Sequence, residues 1–116
     1  MLYISGPYTS SNIMGVAINI ANARAAALWC AERNIPFFCP HTHTAHFEQY
    51  APNVPVEFYY ALDLKIAEVC RGVILLEGYE HSYGAQRELE YFRRANKPEY
   101  LFPLDCAYIL SVYGKS

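Results

Sequence analysis

Two carboxylates stand where the sequence pattern calls for apolar side chains. Projected at roughly 100° per residue, residues 83–96 place Ala85, Leu89, Phe92 and Ala95 on one stripe, and Glu88 falls inside it. Arg87, Glu90 and Arg94 take the opposite face, with Glu90 and Arg94 at the spacing of a helical ion pair. Residues 55–70 repeat the anomaly: Val56, Tyr59, Tyr60, Ile66, Ala67 and Cys70 line one face, Asp63 sits in its middle, and Glu57, Lys65 and Glu68 lie outside. A carboxylate turned toward a core loses several kcal/mol of hydration unless partners compensate. A cap or an arginine partner explains one such residue. Two, on successive helices beside one strand, point to chemistry. Cleavage of a glycosidic bond needs such a pair: one carboxylate attacks or stabilises the oxocarbenium-like carbon, and the other manages the proton of the leaving group.

Ser82-Tyr83-Gly84 opens the helix that carries Glu88. A serine hydroxyl, free backbone N–H groups and the helix dipole make an anion seat, and Gly84 permits close approach. The plain alternative is a serine N-cap with no ligand. Ser82 and Glu88 lie about 9 Å apart along a helix, roughly the separation of a 5′-phosphate from the anomeric carbon of a ribose.

The stretch HTHTAHF brings three histidines close together, His41, His43 and His46, a spacing found among zinc ligands. The H-x-H-x-D-H pattern has an aspartate where Ala45 stands, and His81 is the one histidine left elsewhere. The expectation is no metal and no cofactor. Two readings remain: solvated polar residues of a loop, or one or more of these histidines, His43 first among them, framing a base or donating to phosphate with Thr44 and Phe47.

The positioning elements alternate. Residues 2–5 form a buried strand ending at Gly6-Pro7. Ser10 or Ser11 caps a helix over residues 12–33, with Ile13, Val16, Ala17, Ile20, Ala27, Leu28 and Ala31 at helical spacing and Asn34 as its stop. Residues 35–39 form a second strand whose pairing begins after Pro36. Residues 40–54 read as a long loop, 55–70 as a helix, 73–76 as the clearest buried strand, 83–96 as a helix and 100–102 as a fourth strand. Residues 106–112 fit either a fifth strand or a helical turn. Such alternation predicts a single-domain, Rossmann-like α/β sandwich over residues 1–116, a four- or five-stranded parallel sheet with helices on both faces. Ligands bind outside the carboxyl ends of such strands. That places Ser5, Gly6, Pro7 and Tyr8, the histidines, and the 77–84 loop around one site.

The composition sets limits. A chain of 116 residues, 53% hydrophobic and 17% charged, with a net charge of −2, buries a single core. It has no excess of Lys and Arg for a nucleic-acid polymer. Eleven tyrosines and six phenylalanines exceed what so small a core conceals, so a homo-oligomer, a dimer or larger, is expected. Cys30, Cys39, Cys70 and Cys106 form no C-x-x-C pair and read as reduced thiols of the cytoplasm. No unbroken apolar run approaches the length that crosses a bilayer, and Gly6-Pro7 comes too early for a signal peptide, so no membrane partner is expected.

The strand Tyr3-Ile4-Ser5-Gly6-Pro7, the helix bearing Asp63 and the run GVILLEGYEHSYGAQRE over residues 72–88 together resemble the nucleoside 2-deoxyribosyltransferase superfamily, especially its small bacterial and phage branch. The likeness spans nearly the whole chain. It implies a parallel α/β sandwich that cleaves or transfers at the N-glycosidic bond of a small-molecule nucleoside or nucleotide. By the same resemblance, Glu88 is the nucleophile on C1′, Asp63 handles the base and its proton, Tyr3 orients the glutamate, and a neighbouring subunit completes the site. Ser82 replaces an aspartate that binds the 5′-hydroxyl, which makes the chain similar also to nucleoside 5′-monophosphate N-glycosidases, since a carboxylate there repels phosphate. Glu90 and Phe92 replace the usual small residues after the nucleophile. A module that binds nucleotides without turning them over is the alternative.

Overall fold

The computed structural model describes residues 1–114. Strands β1 (Leu2–Ser5), β2 (Phe37–Phe38), β3 (Gly72–Leu75) and β4 (Glu99–Leu101) form one parallel sheet in the order β2-β1-β3-β4. Helix α1 (Ile13–Glu32) links β1 to β2. The short α2 (Pro40–His43) and α3 (Phe47–Tyr50) and the longer α4 (Val56–Ala67) lead to β3, α5 (Tyr83–Arg94) follows β3, and α6 (Cys106–Tyr113) follows β4. The chain is a single-domain, Rossmann-like α/β sandwich with a Cα radius of gyration of 13.7 Å.

Strand alternation sorts the core into two halves. Leu2, Ile4, Ile74 and Leu76 turn to one side and pack with Ala23, Ala26, Ala27 and Cys30 of α1 and Ile109 of α6. Tyr3, Val73 and Leu75 turn to the other and pack with Ala67 and Cys70 at the end of α4 and with Leu89 and Phe92 of α5. In the register, Tyr3 lies beside Val73 and Ser5 beside Leu75. Tyr3 and Ser5 therefore both face the layer that carries Asp63 and Glu88. The Lys97 ammonium donates to the carbonyls of Ala67 at 3.1 Å and Glu68 at 3.0 Å, tying the end of α4 to the segment after α5.

The helical reading of residues 106–112 holds, and several other expectations need correction. Residues 106–113 form α6, and no fifth strand joins the sheet among the described residues. The Asp105 carboxylate accepts the Leu101 N–H at 2.7 Å, and the turn behind β4 leads into the helix. The 40–54 segment holds two helical turns; Pro40 starts the first, at a position where its missing N–H costs nothing. Asn12, rather than Ser10 or Ser11, caps α1, accepting the Gly15 N–H at 2.8 Å. Asn34 ends that helix in the left-handed region, at φ 58°. The inward face of α1 also differs: Ile20, Ala23, Ala26, Ala27 and Cys30 are buried, while Ile13, Ala17, Leu28 and Ala31 are exposed. The helix is apolar on every side, so its pattern carries no phase. By length and composition, α1 is long and apolar enough to cross a membrane; here it packs on β1, β2 and α2. Val56 and Ala95, also expected inside, are exposed near the ends of their helices.

Gly6 shows how tightly the end of β1 is packed. A Cβ built there meets Leu76 Cβ at 2.7 Å, and that atom is fixed to the backbone. Gly6→Ala is expected to destabilise the fold by about 1–2 kcal/mol, read as a lower urea midpoint at unchanged slope.

Candidate active site

Glu88 sits on the inner face of α5 because Ala85, Leu89 and Phe92, on the same face, are buried against the sheet. There its carboxylate meets two hydroxyls from β1. The Tyr3 hydroxyl donates to Oε2, and the Ser5 hydroxyl donates to Oε1 at 2.6 Å. Both donors are fully buried. The Tyr3 ring is held between Phe38 and Phe92, with centroids 5.9 and 5.6 Å away, so its hydroxyl has little freedom. Each carboxylate oxygen thus has a fixed donor, and such charge-assisted bonds set the orientation of the group.

Burial pushes the Glu88 carboxyl up to about 7, the Ser5 and Tyr3 hydrogen bonds oppose the rise, and the charge of Asp63 adds to it. Burial and the nearby Glu88 push the Tyr3 phenol far up, so it remains a donor throughout the accessible pH range. Asp63, on the inner face of α4, is 8% exposed. Desolvation alone lifts its carboxyl to about 7, and its Oδ1 has no hydrogen-bond partner. An unpartnered buried acceptor is costly. Near neutral pH the pair therefore holds about one proton between two carboxyl groups. In chemical terms, the two groups together can supply one carboxylate and one proton, with Glu88 the member whose two oxygens are both anchored. Removing the Tyr3 donor is expected to raise Glu88 further: Tyr3→Phe should shift its titration up by about one unit, equivalent to about 1.4 kcal/mol, in carbon NMR of the side-chain carboxyl.

The other residues expected at the site take diverse places. Ser82 caps α5, its Oγ accepting the Ala85 N–H at 3.2 Å, which leaves the hydroxyl proton free to donate. A Cβ on Gly84 would lie 3.2 Å from the Tyr60 ring, so this glycine lets α4 and α5 approach each other. Arg87, read as a solvent-facing residue, lies over that same ring at 4.7 Å and donates to both oxygens of Glu57 at 3.1 Å. Tyr8 is engaged within the chain: its hydroxyl accepts the His46 N–H at 2.8 Å and donates to Glu48 at 2.9 Å.

The histidines diverge. His41 is buried, with Nε2 2.8 Å from the Pro7 carbonyl, and burial lowers its pKa, so it is a neutral ring donating from Nε2. His43 is exposed, its ring edge on Phe38. His46, at φ 61°, turns its Nδ1 toward Gln49. Among the described residues, no group of three His, Cys, Asp or Glu side chains is placed to hold a metal ion.

Two open concavities lie away from the carboxylate pair. One, of about 750 Å³, runs along the outer face of α5, where Arg87, Arg93 and Arg94 are each paired with a glutamate. The other, of about 210 Å³, lies on the α1 side between Pro7, Asn19, Glu77 and Phe102. The second borders the carboxyl ends of β1 and β3 but opens on the opposite face from Glu88.

Sequence reasoning missed that Ser5 serves Glu88, having placed it among substrate contacts. The signal was available: Tyr3 and Ser5 are two apart on a strand, so whatever Tyr3 faces, Ser5 faces as well.

No curated protein matches the chain. Residues 1–99 match the family described as a domain of unknown function, DUF4406. That match covers most of the sequence, and the protein therefore belongs to the DUF4406 family.

Proposed function

We propose that this protein cleaves, or transfers at, the N-glycosidic bond of a nucleoside, deoxynucleoside or 5′-monophosphate through Glu88. The observation that carries this reading is the anchored carboxylate: Glu88 Oε1 and Oε2, each held by a β1 hydroxyl, with a buried Asp63 near enough for its charge to raise the Glu88 carboxyl. One Glu88 oxygen attacks C1′ as the C1′–N bond breaks, and the protonated Asp63 gives its proton to the departing base. Water or a second base then attacks C1′, the Glu88–sugar bond breaks, and the incoming nucleophile returns a proton to Asp63. Tyr3 and Ser5 keep the attacking carboxylate in one orientation. Ser82, with a free hydroxyl proton at the start of α5, is the group offered to a 5′-phosphate.

The partners in this reading are small nucleosides or nucleotides and further copies of the chain. Four free cysteines, three of them buried, suit a reducing cytoplasm. A nucleotide-binding module without turnover is the second reading, favoured by the partial protonation near neutral pH of a carboxyl raised to about 7. The test incubates the wild-type protein with mixed nucleosides and 5′-monophosphates and follows free bases and exchanged products by mass spectrometry. Base release supports the glycosidic reading. Calorimetric binding without any released base overturns it in favour of the module.

A further inference from the structure

We propose that α1 carries a self-association surface, on which a second copy of this chain packs its own α1 antiparallel, with Ala21 at the two-fold axis. The surface lies across the sheet from Glu88, so the inference does not depend on the glycosidic reading.

The buried positions of α1 are Ile20, Ala23, Ala26, Ala27 and Cys30. At roughly 100° per residue, the side opposite them is a seam of Met14, Ala17, Ile18, Ala21, Arg24, Ala25 and Leu28, all within about 60° of Ala21. Every one of these seven residues is exposed, and six are apolar. Met14, Ile18 and Leu28 are 68%, 54% and 55% exposed. The outward face of a surface helix is normally polar, and monomers rarely leave an apolar patch of more than a few hundred Å² in water.

Residue sizes match across the centre of the seam, Met14 with Leu28 and Ala17 with Ala25, and this match favours a second copy as the occupant. A two-fold antiparallel crossing at Ala21 pairs each residue with the one equally far on the other side. Met14 then meets Leu28 of the second copy, Ala17 meets Ala25, and Ala21 meets itself. Large side chains pair with large ones at the ends, and three alanines allow close approach at the centre. The single charge of the seam also fits: Arg24 meets Ile18 rather than another Arg24, so like charges stay apart and the arginine stem covers the isoleucine. Glu32, the next charge on this side, falls opposite Ser10. Covering the seam and its rim on both copies removes on the order of 1,200 Å² from water, the lower end of stable interfaces.

Sedimentation velocity at micromolar concentration tests the proposal with two glutamates on the same surface. The wild type is expected to be dimeric. Ala21→Glu places two carboxylates face to face on the axis and is expected to give a monomer with unchanged circular dichroism. Ile18→Glu sets a carboxylate opposite Arg24 of the second copy and is expected to remain dimeric. Ala21→Lys, which sets two ammonium groups face to face on the axis, repeats the loss if Ala21→Glu does not fold. A monomeric wild type, a dimer that survives Ala21→Glu, or a monomer with Ile18→Glu overturns the proposal. So does a monomeric wild type that floats with phosphatidylcholine vesicles, which assigns the seam to lipid.

Discussion

Glu88→Ala and Glu88→Gln are expected to lower release of free base by at least about 10³-fold while leaving the protein folded. The glutamine variant is the sharper of the two. Its amide matches the carboxylate in size, and the Tyr3 and Ser5 hydroxyls can each accept as well as donate, so the hydrogen bonds can re-form around it. What it lacks is a nucleophilic oxygen. Asp63→Asn separates the two roles: it is expected to cost about 10²-fold on bases that leave protonated and little on activated leaving groups that need no proton. Mass spectrometry of released base, with the covalent sugar adduct sought on the wild-type protein, provides the measurement. Unchanged turnover in Glu88→Gln would falsify the assignment of the nucleophile.

The carboxylate pair was legible because α5 and α4 have enough polar residues to give their patterns a phase. In α5, charged side chains mark the outside, so Glu88 among Ala85, Leu89 and Phe92 stands out, and the Glu90–Arg94 pair forms at 2.7 Å on the solvent face. Asp63 was legible in the same way, with Glu57, Lys65 and Glu68 exposed on the outside of α4, and it is buried. In α1 that contrast is missing, and of the residues assigned to the inward face Ile20 and Ala27 are buried while Ile13, Ala17, Leu28 and Ala31 are exposed. The sheet was legible from its short apolar runs. The run at 106–112 was ambiguous because a brief apolar stretch has no decisive period; its fate rests on a long-range fit, with Ile109 completing the core beside α1. Tyr8 was unreadable from sequence in another way. Its partners His46 and Glu48 lie about 40 residues ahead, and only the folded chain brings them to it.

The same pair governs the last expectation, a protein whose stability falls as it becomes neutral. Burial raises the Glu88 carboxyl from 4.5 to about 7 and Asp63 from 3.8 to about 7. For each group the folded state therefore binds its proton more tightly than the unfolded chain does. Between about pH 4 and 7 the native protein holds more protons than the unfolded one, and stability must decline with rising pH across that window. The contribution is fully present below the unfolded values and lost as pH passes through 7. Because the two charges also repel, the second deprotonation is the costlier one. Glu88→Gln removes one of them and is expected to stabilise the fold at pH 8 by about 2 kcal/mol, near 8 °C in Tm, with little effect at pH 5. Thermal melts of wild type and variant at the two pH values measure the difference. A site residue whose neutral replacement strengthens the fold only at high pH, while removing base release, is one held in place at the expense of stability. Equal gains at both pH values would instead mean that Glu88 strains the packing of α5, and that its charge is not the source of the cost.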